Sequence, residues 1–239
     1  MLRYIDSGKM GRGQHGWLDS HFHFSFAEYC NPDNVQFGVL RVMNDDQVQS
    51  GTGFEAHSHK NMEIISYVVE GELTHADSMK NEETLTRGQV QYMSAGTGVQ
   101  HSEFNHGKSL LRFFQIWILP DRDGYPPNYG SRRFAWEDRR NKWLFVASEA
   151  GKSGDSPHAP IRIHADVNIC ATLLDPGKSL DFKVGAGRQA YLALIEGEAC
   201  VNGVSLSKRD ALEIAEEDIR LAAAGQNPSH ALILEMAKA

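Results

Sequence analysis

The sequence predicts an all-β protein built as two tandem β-barrels, with one mononuclear metal site in the first. Three observations predict it. Short strand signatures split by turn residues run the length of the 239 residues, and long helical periodicity is absent. A weak internal repeat relates the halves: Tyr67-Val68-Val69-Glu70-Gly71-Glu72 resembles Ala193-Leu194-Ile195-Glu196-Gly197-Glu198. Two histidine-bearing strand signatures, His57-Ser58-His59 and His101-Ser102-Glu103, lie on either side of the first repeat copy.

In chain order, His15-Gly16-Trp17-Leu18 and the aromatic run Phe22-His23-Phe24-Ser25-Phe26 lead to a turn cluster at Asn31-Pro32-Asp33-Asn34. Phe37 to Val42 reads as a strand ended by the turn signal Asn44-Asp45-Asp46. Glu63 to Val69 and Val90 to Met93 follow, and Leu110 to Leu119 is a long apolar strand with Phe113, Gln115 and Trp117 on one face, as barrel core or pocket wall. Pro120 to Gly130, with paired prolines and two glycines, is the best linker candidate, and Glu149 to Pro160 is a second loop. Lys142 to Val146, Arg162 to Leu174, Ala190 to Glu196, Ala199 to Val201 and Ala231 to Glu235 are again short and β-like. Ala211 to Ala224 fits strand or helix and is assigned to strands. The expected division is a metal-binding domain over 1–125 and a second barrel over 126–239.

The net charge of −7 is dispersed, with no basic block longer than a pair such as Arg132-Arg133, which argues against nucleic-acid phosphates and a basic membrane helix. Cys30, Cys170 and Cys200 are far apart and odd in number, so no disulfide framework is expected. The first residues hold no apolar signal core and no stretch reaches membrane-spanning length. A soluble, cytoplasmic protein is expected.

The chemistry rests on strand periodicity. Residues i and i+2 share a face and lie roughly 6.6 Å apart, so each H-x-H or H-x-E pair can aim both donors at one point. Two such strands supply three imidazoles and a carboxylate, a donor set that suits a divalent transition metal. Strand alternation favours Glu103 as the carboxylate. Glu63 is the competitor, or a residue that orients an imidazole, or a solvated polar group. His21-Phe22-His23 is a rival H-x-H without a second half. His75, His106, His158, His164 and His230 are single, although His75 lies between the motifs and could approach the pocket. Anchored on Gly71 and Gly197, the repeat places Lys183, Gly185 and Gln189 where the first copy has His57, His59 and Glu63, so the second barrel has lost the ligands.

Gly51-x5-His57-x-His59-x3-Glu63 with Gly71 resembles the first cupin motif, with one extra residue before the last glycine. Gly88-x5-Ser94-x-Gly96 with His101-x3-Asn105 resembles the second, with serine for the usual proline and two extra residues before the histidine. Local strings then resemble the pirin family over about residues 11–120: His15-Gly16-Trp17-Leu18-Asp19-Ser20, Phe24-Ser25-Phe26, Leu40-Arg41-Val42-x-Asn44-Asp45-Asp46, His75-x-Asp77-Ser78 and Met93-Ser94-Ala95-Gly96-Thr97-Gly98-x-x-His101-Ser102-Glu103. The resemblance implies a bicupin of two jelly-roll barrels, with metal only in the first, held by His57, His59, His101 and Glu103.

That resemblance further implies a quercetinase-type dioxygenase. It would take a flavonol-like aromatic substrate and O2, release carbon monoxide, and use Glu103 as both ligand and base. Fe(II) suits such a site, and Ni, Co, Mn, Cu or Zn would also fit. The alternative it implies is a non-catalytic metal-binding regulator or redox sensor acting through a protein partner. An isomerase of sugar phosphates would need a phosphate cradle, and none accompanies the motifs.

Overall fold

Alternate residues along the strands are buried, as in Val99, His101, Glu103 and Asn105, and this period of two builds the protein. The structure, a computed structural model, describes residues 1–151 and 159–238. In chain order the strands are β1 (Leu2–Ile5), β2 (Gly11–Gln14), β3 (Leu18–Phe22), β4 (Leu40–Val48), β5 (Thr52–His59), β6 (Glu63–Glu70), β7 (Glu72–Asp77), β8 (Glu82–Thr86), β9 (Val90–Ser94), β10 (Val99–Asn105), β11 (Leu111–Ile118) and β12 (Asn128–Arg132). They continue as β13 (Leu144–Glu149), β14 (Ile161–Ile163), β15 (Val167–Leu174), β16 (Ser179–Phe182), β17 (Arg188–Glu196), β18 (Ala199–Val201), β19 (Val204–Leu206), β20 (Ala211–Ala215), β21 (Ile219–Ala223) and β22 (Ser229–Ala237). Among the described residues the helical segments are two short 3-10 turns, Ser7–Lys9 and Trp136–Arg139.

The chain divides into two units. One comprises Gly11–Ala135 with Ile163–Ala165; the other comprises Met1–Met10, Trp136–Arg162 and Asp166–Ala239. The first ten residues therefore belong with the C-terminal half, where β1 pairs with β20. The stretch expected to link the barrels ends as β12, an edge strand paired with β9. Of the loop expected over Glu149 to Pro160, residues 152–158 lie outside the described residues, and His158 with them.

Each unit has one large and one small sheet. In the N-terminal unit the orders are β12-β9-β6-β11-β4-β3-β2 and β5-β10-β7-β8. In the C-terminal unit they are β1-β20-β17-β22-β15-β13-β14 and β16-β21-β18-β19. Position for position these orders correspond, so the repeat seen at Gly71 and Gly197 extends over both barrels. The two glycines do the same work: φ is +77° and +80°, and an added Cβ would meet a carbonyl oxygen, of Leu110 or of Pro228, at 2.5 Å.

What fills the barrels differs. In the C-terminal unit one continuous apolar cluster includes Leu192, Leu212, Leu221 and Ile233. Strand registers place these where the N-terminal unit has Ser66, Gln91, Glu103 and Gln115. There, among the described residues, separate apolar clusters gather around Val68, Leu111 and Phe113 and around Ile64, Met93 and Val99. Asn44-Asp45-Asp46, expected as a turn, lies inside β4. Strand geometry is tolerated because Asp45 pairs with buried Arg112 through two 2.7 Å hydrogen bonds and Asp46 accepts one from Ser20 at 2.5 Å.

Candidate metal centre

β5 and β10 are antiparallel neighbours with His57 opposite His101. Between that pair and the next, Glu103 opposite Phe54, two β5 residues (Glu55 and Ala56) face the single Ser102. This β-bulge offsets the alternation by one residue, so Phe54 and His57 both point inward, although an unbroken strand would separate them. The rings of His57, His59 and His101 gather with centroids 4.5 to 5.0 Å apart, and one nitrogen from each lies within 4.8 Å of the others.

Hydrogen bonds orient two of the rings. Nδ1 of His57 is 2.7 Å from the carbonyl oxygen of Glu55; a carbonyl only accepts, so Nδ1 is the donor and Nε2 is the nitrogen left to face a metal. Nδ1 of His101 is 3.4 Å from Nδ1 of His75, while its Nε2 is buried and has no hydrogen-bond partner. His59 packs edge-on against Trp117 with centroids 4.8 Å apart. Burial, reinforced by the neighbouring imidazoles, pushes His59 down to about 4 and His101 to about 3, so both are neutral near pH 7. Neutral, clustered imidazoles with an orphaned inward nitrogen are a donor set that fits a divalent metal.

Glu103 is 2 % exposed and shares the inward face of β10 with His101. Oε1 accepts from Ser66 Oγ (2.8 Å) and Gln91 Nε2 (2.7 Å), and Oε2 from Gln115 Nε2 (2.5 Å). Three of its roughly four lone-pair directions are thus occupied by the protein. It also forms a second potential donor group with His101 and His75, so the two groups overlap at His101.

Glu63 is elsewhere. It is buried on the opposite face of β6 from Ile64 and Ser66, accepts from Ser94 Oγ (2.5 Å) and the backbone N–H of His164 (3.3 Å), and lies 3.4 Å from Nδ1 of the His164 ring. It is neither solvated nor partnered to the three-histidine cluster; the imidazole it meets is that of His164. The rival pair also fails to assemble a site: His21 and His23 are buried, burial lowers His23 to about 4, and neither joins a donor cluster among the described residues.

A cavity of about 480 Å³ opens onto His57, His59, Glu103 and Gln115. Trp17, Phe22, Phe26, Phe54 and Trp117 supply aromatic walls, and Ser20, Asn44 and Asp46 a polar one. Asn44 Oδ1 is buried without a hydrogen-bond partner. Burial pushes the Asp46 carboxyl up to about 7 despite the hydrogen bond from Ser20. Of the face Phe113, Gln115 and Trp117, the first is core, the second grips Glu103 and the third lines the cavity. Sequence reasoning missed Ser66, Gln91, Asn44, Asp46 and the pairing of His75 with Asp77. The available signal was a polar residue at an inward position of an apolar strand, as in Ile64-Ile65-Ser66-Tyr67-Val68.

The pirin family model matches residues 6–118, and a model described as the quercetinase C-terminal cupin domain matches residues 145–236. A putative quercetin 2,3-dioxygenase of Pseudomonas aeruginosa is 41 % identical over 96 % of this chain and 97 % of its own. The quercetin 2,3-dioxygenase of Escherichia coli is 38 % identical over 91 % of each. Among solved structures, the bacterial pirin YhhW of Escherichia coli in complex with nickel(II) superposes with a TM-score of 0.90 at 35 % identity, covering all of both chains. With two cupin domains of matching topology and these relatives along its length, the chain belongs to the pirin family.

Proposed function

We propose that the protein is a flavonol dioxygenase of the quercetinase type, cleaving a planar polyhydroxylated aromatic with O2 and releasing carbon monoxide. The observation that carries this reading is the aromatic-walled cavity of about 480 Å³ that opens onto His57, His59 and the buried Glu103, with His101 clustered beside the two histidines. The size falls in the ordinary range for small-molecule sites. The names of the relatives, at about 40 % identity, support the same chemistry.

His57, His59, His101 and Glu103 would hold the metal, with Fe(II) the first expectation and Ni, Co, Mn, Cu or Zn able to fit the same donors. When bound, the metal supplies a positive centre that stabilises the deprotonated flavonol oxygen. Glu103 takes the proton from the 3-hydroxyl. With Ser66, Gln91 and Gln115 on three of its lone-pair directions, ligation and proton acceptance compete for the fourth. Trp17, Phe54 and Trp117 hold the rings and exclude water, and Asn44 and Asp46 face hydroxyls of the substrate away from the reacting carbon. The cysteines are free, in keeping with a reducing cytoplasmic setting. Among the described residues no helix is long and apolar enough to cross a membrane.

The test is aerobic turnover of quercetin by protein reconstituted in parallel with Fe(II), Ni(II), Co(II), Mn(II) and Cu(II), following flavonol absorbance and carbon monoxide, with His101→Ala as the blank. Metal-dependent loss of quercetin with carbon monoxide, absent in the variant, is expected. Failure with every metal at verified occupancy would overturn the reading for this substrate.

A further inference from the structure

We propose that Asp77 and His75 form a two-bond relay that holds His101 in its Nδ1–H tautomer, so that the buried Nε2 presents a lone pair to the metal position. This rests on the proposed metal site, but its first readout needs neither metal nor substrate.

The relay follows from pairing across two strands. β7 lies beside β10 with Asp77 opposite His101 and His75 opposite Glu103. His75 and Asp77 are i and i+2 on β7, so they share the face turned towards the cluster. Their side chains are fully buried, and Nε2 of His75 is 3.1 Å from Oδ2 of Asp77. Nδ1 of His75 is 3.4 Å from Nδ1 of His101. The Tyr129 ring stacks on His75 at 4.2 Å, 11° from parallel, and keeps it from turning away.

Asp77 is itself fixed. Oδ1 accepts from the backbone N–H of Met79 (2.9 Å) and of Asn81 (3.0 Å), and the Asn81 amide bridges both oxygens at 3.1 and 2.9 Å. Oδ2, which also accepts from the Asn81 amide, faces His75. An ionised carboxylate only accepts, so His75 donates from Nε2. A His75 ring carrying its one proton on Nε2 offers Nδ1 as an acceptor, and His101 then donates from its own Nδ1. What remains on His101 is Nε2, the atom without a partner in the protein. His57 reaches the same tautomer by donating a hydrogen bond from Nδ1 to the backbone carbonyl of Glu55. Asp77 and His75 are thus positioning residues: they touch a ligand rather than the reacting atoms, and partners of this kind typically set metal affinity by about 10- to 100-fold.

Asp77→Asn tests the direction of the relay. The N–H groups of Met79 and Asn81 hold the amide oxygen in the place of Oδ1, so the new NH2 faces His75 and donates. His75 must then accept at Nε2 and donate from Nδ1, which forces the proton of His101 to Nε2. With 15N-histidine-labelled apoprotein at neutral pH, long-range 1H–15N correlations should show Nδ1–H for His101 and Nε2–H for His75 in the parent, and the reverse in Asp77→Asn. Titration of apoprotein with Ni(II) should give a Kd about 10- to 100-fold weaker in the variant. His75→Phe, which retains the stack on Tyr129, should weaken Ni(II) binding by a similar factor.

Nε2–H on His101 in the parent overturns the relay, as does Asp77→Asn with unchanged tautomers and affinity. Complete loss of Ni(II) from folded His75→Phe would make His75 a ligand and equally overturn it. Absence of quercetin turnover alongside the expected tautomers would count against the proposed reaction alone.

Discussion

Gln115 Nε2 sits 2.5 Å from Glu103 Oε2, reaching across from the centre of the large sheet to a buried carboxylate beside the three histidines. The corresponding position of the second barrel is Ile233, within a continuous apolar core. Gln115→Ile removes one of three donors to Glu103, and a hydrogen bond to a charged group contributes ~1.5–3 kcal/mol. The expected outcome is a fall in kcat/KM for quercetin of about 10- to 100-fold at full metal occupancy. Steady-state turnover of the reconstituted variant checks it.

His57→Ala is expected to abolish metal retention, because it removes one of three clustered donors. Glu63→Gln is expected to retain metal and lose stability instead, by about 1 kcal/mol, since its partners are Ser94 and His164. Elemental analysis of both purified variants beside their melting temperatures separates the outcomes. Metal loss from Glu63→Gln with retention in His57→Ala would reassign the site.

Asp46 gives a pH dependence whose sign is fixed by its surroundings. Burial raises its carboxyl from 3.8 to about 7, so between those values the folded state holds a proton that the unfolded state has released. This group therefore contributes a loss of stability as pH rises from about 4 to 7, on the order of a few kcal/mol in all. Asp46→Asn removes that loss, and its stability relative to the parent should grow from pH 4 to pH 7 and then level off. Urea unfolding of the metal-free proteins across that range is the measurement, and a difference independent of pH would contradict it.

Gly51 and Gly96 belong to the two histidine motifs and should respond differently to alanine. Both have positive φ, +74° and +45°. A Cβ on Gly51 meets nothing within 4 Å, whereas one on Gly96 would lie 1.9 Å from the Tyr125 carbonyl oxygen. Gly51→Ala should cost about 1 kcal/mol from backbone strain alone. Gly96→Ala must displace the chain that leads into His101, and should cost several times as much and weaken metal retention. Chemical denaturation and metal analysis of the two variants test the contrast.

The sequence by itself determined most of the strands, the duplication and the two donor pairs of the site. His57 with His59, and His101 with Glu103, are set on shared faces by a period of two that needs only neighbouring residues to be read. The Glu-Gly-Glu turns at Gly71 and Gly197 fixed the alignment of the two barrels for a similar local reason, since the chain must take positive φ there. Asn44-Asp45-Asp46 defeated that local logic because the partners that make a strand tolerable there, Ser20 and Arg112, are distant in sequence.

Tertiary structure alone decided the rest. The bulge at Glu55 and Ala56 that turns both Phe54 and His57 inward exists only against Ser102 of the facing strand. Glu63 matches a motif position, but its strand carries it to the face opposite Ser66, where Ser94 and His164 hold it. Ser66, Gln91 and Gln115 come from three strands and meet at Glu103 because register brings them level. Local periodicity tells which residues share a face. Hydrogen bonds between strands depend on which residues stand opposite, and that is decided only when the sheets pair.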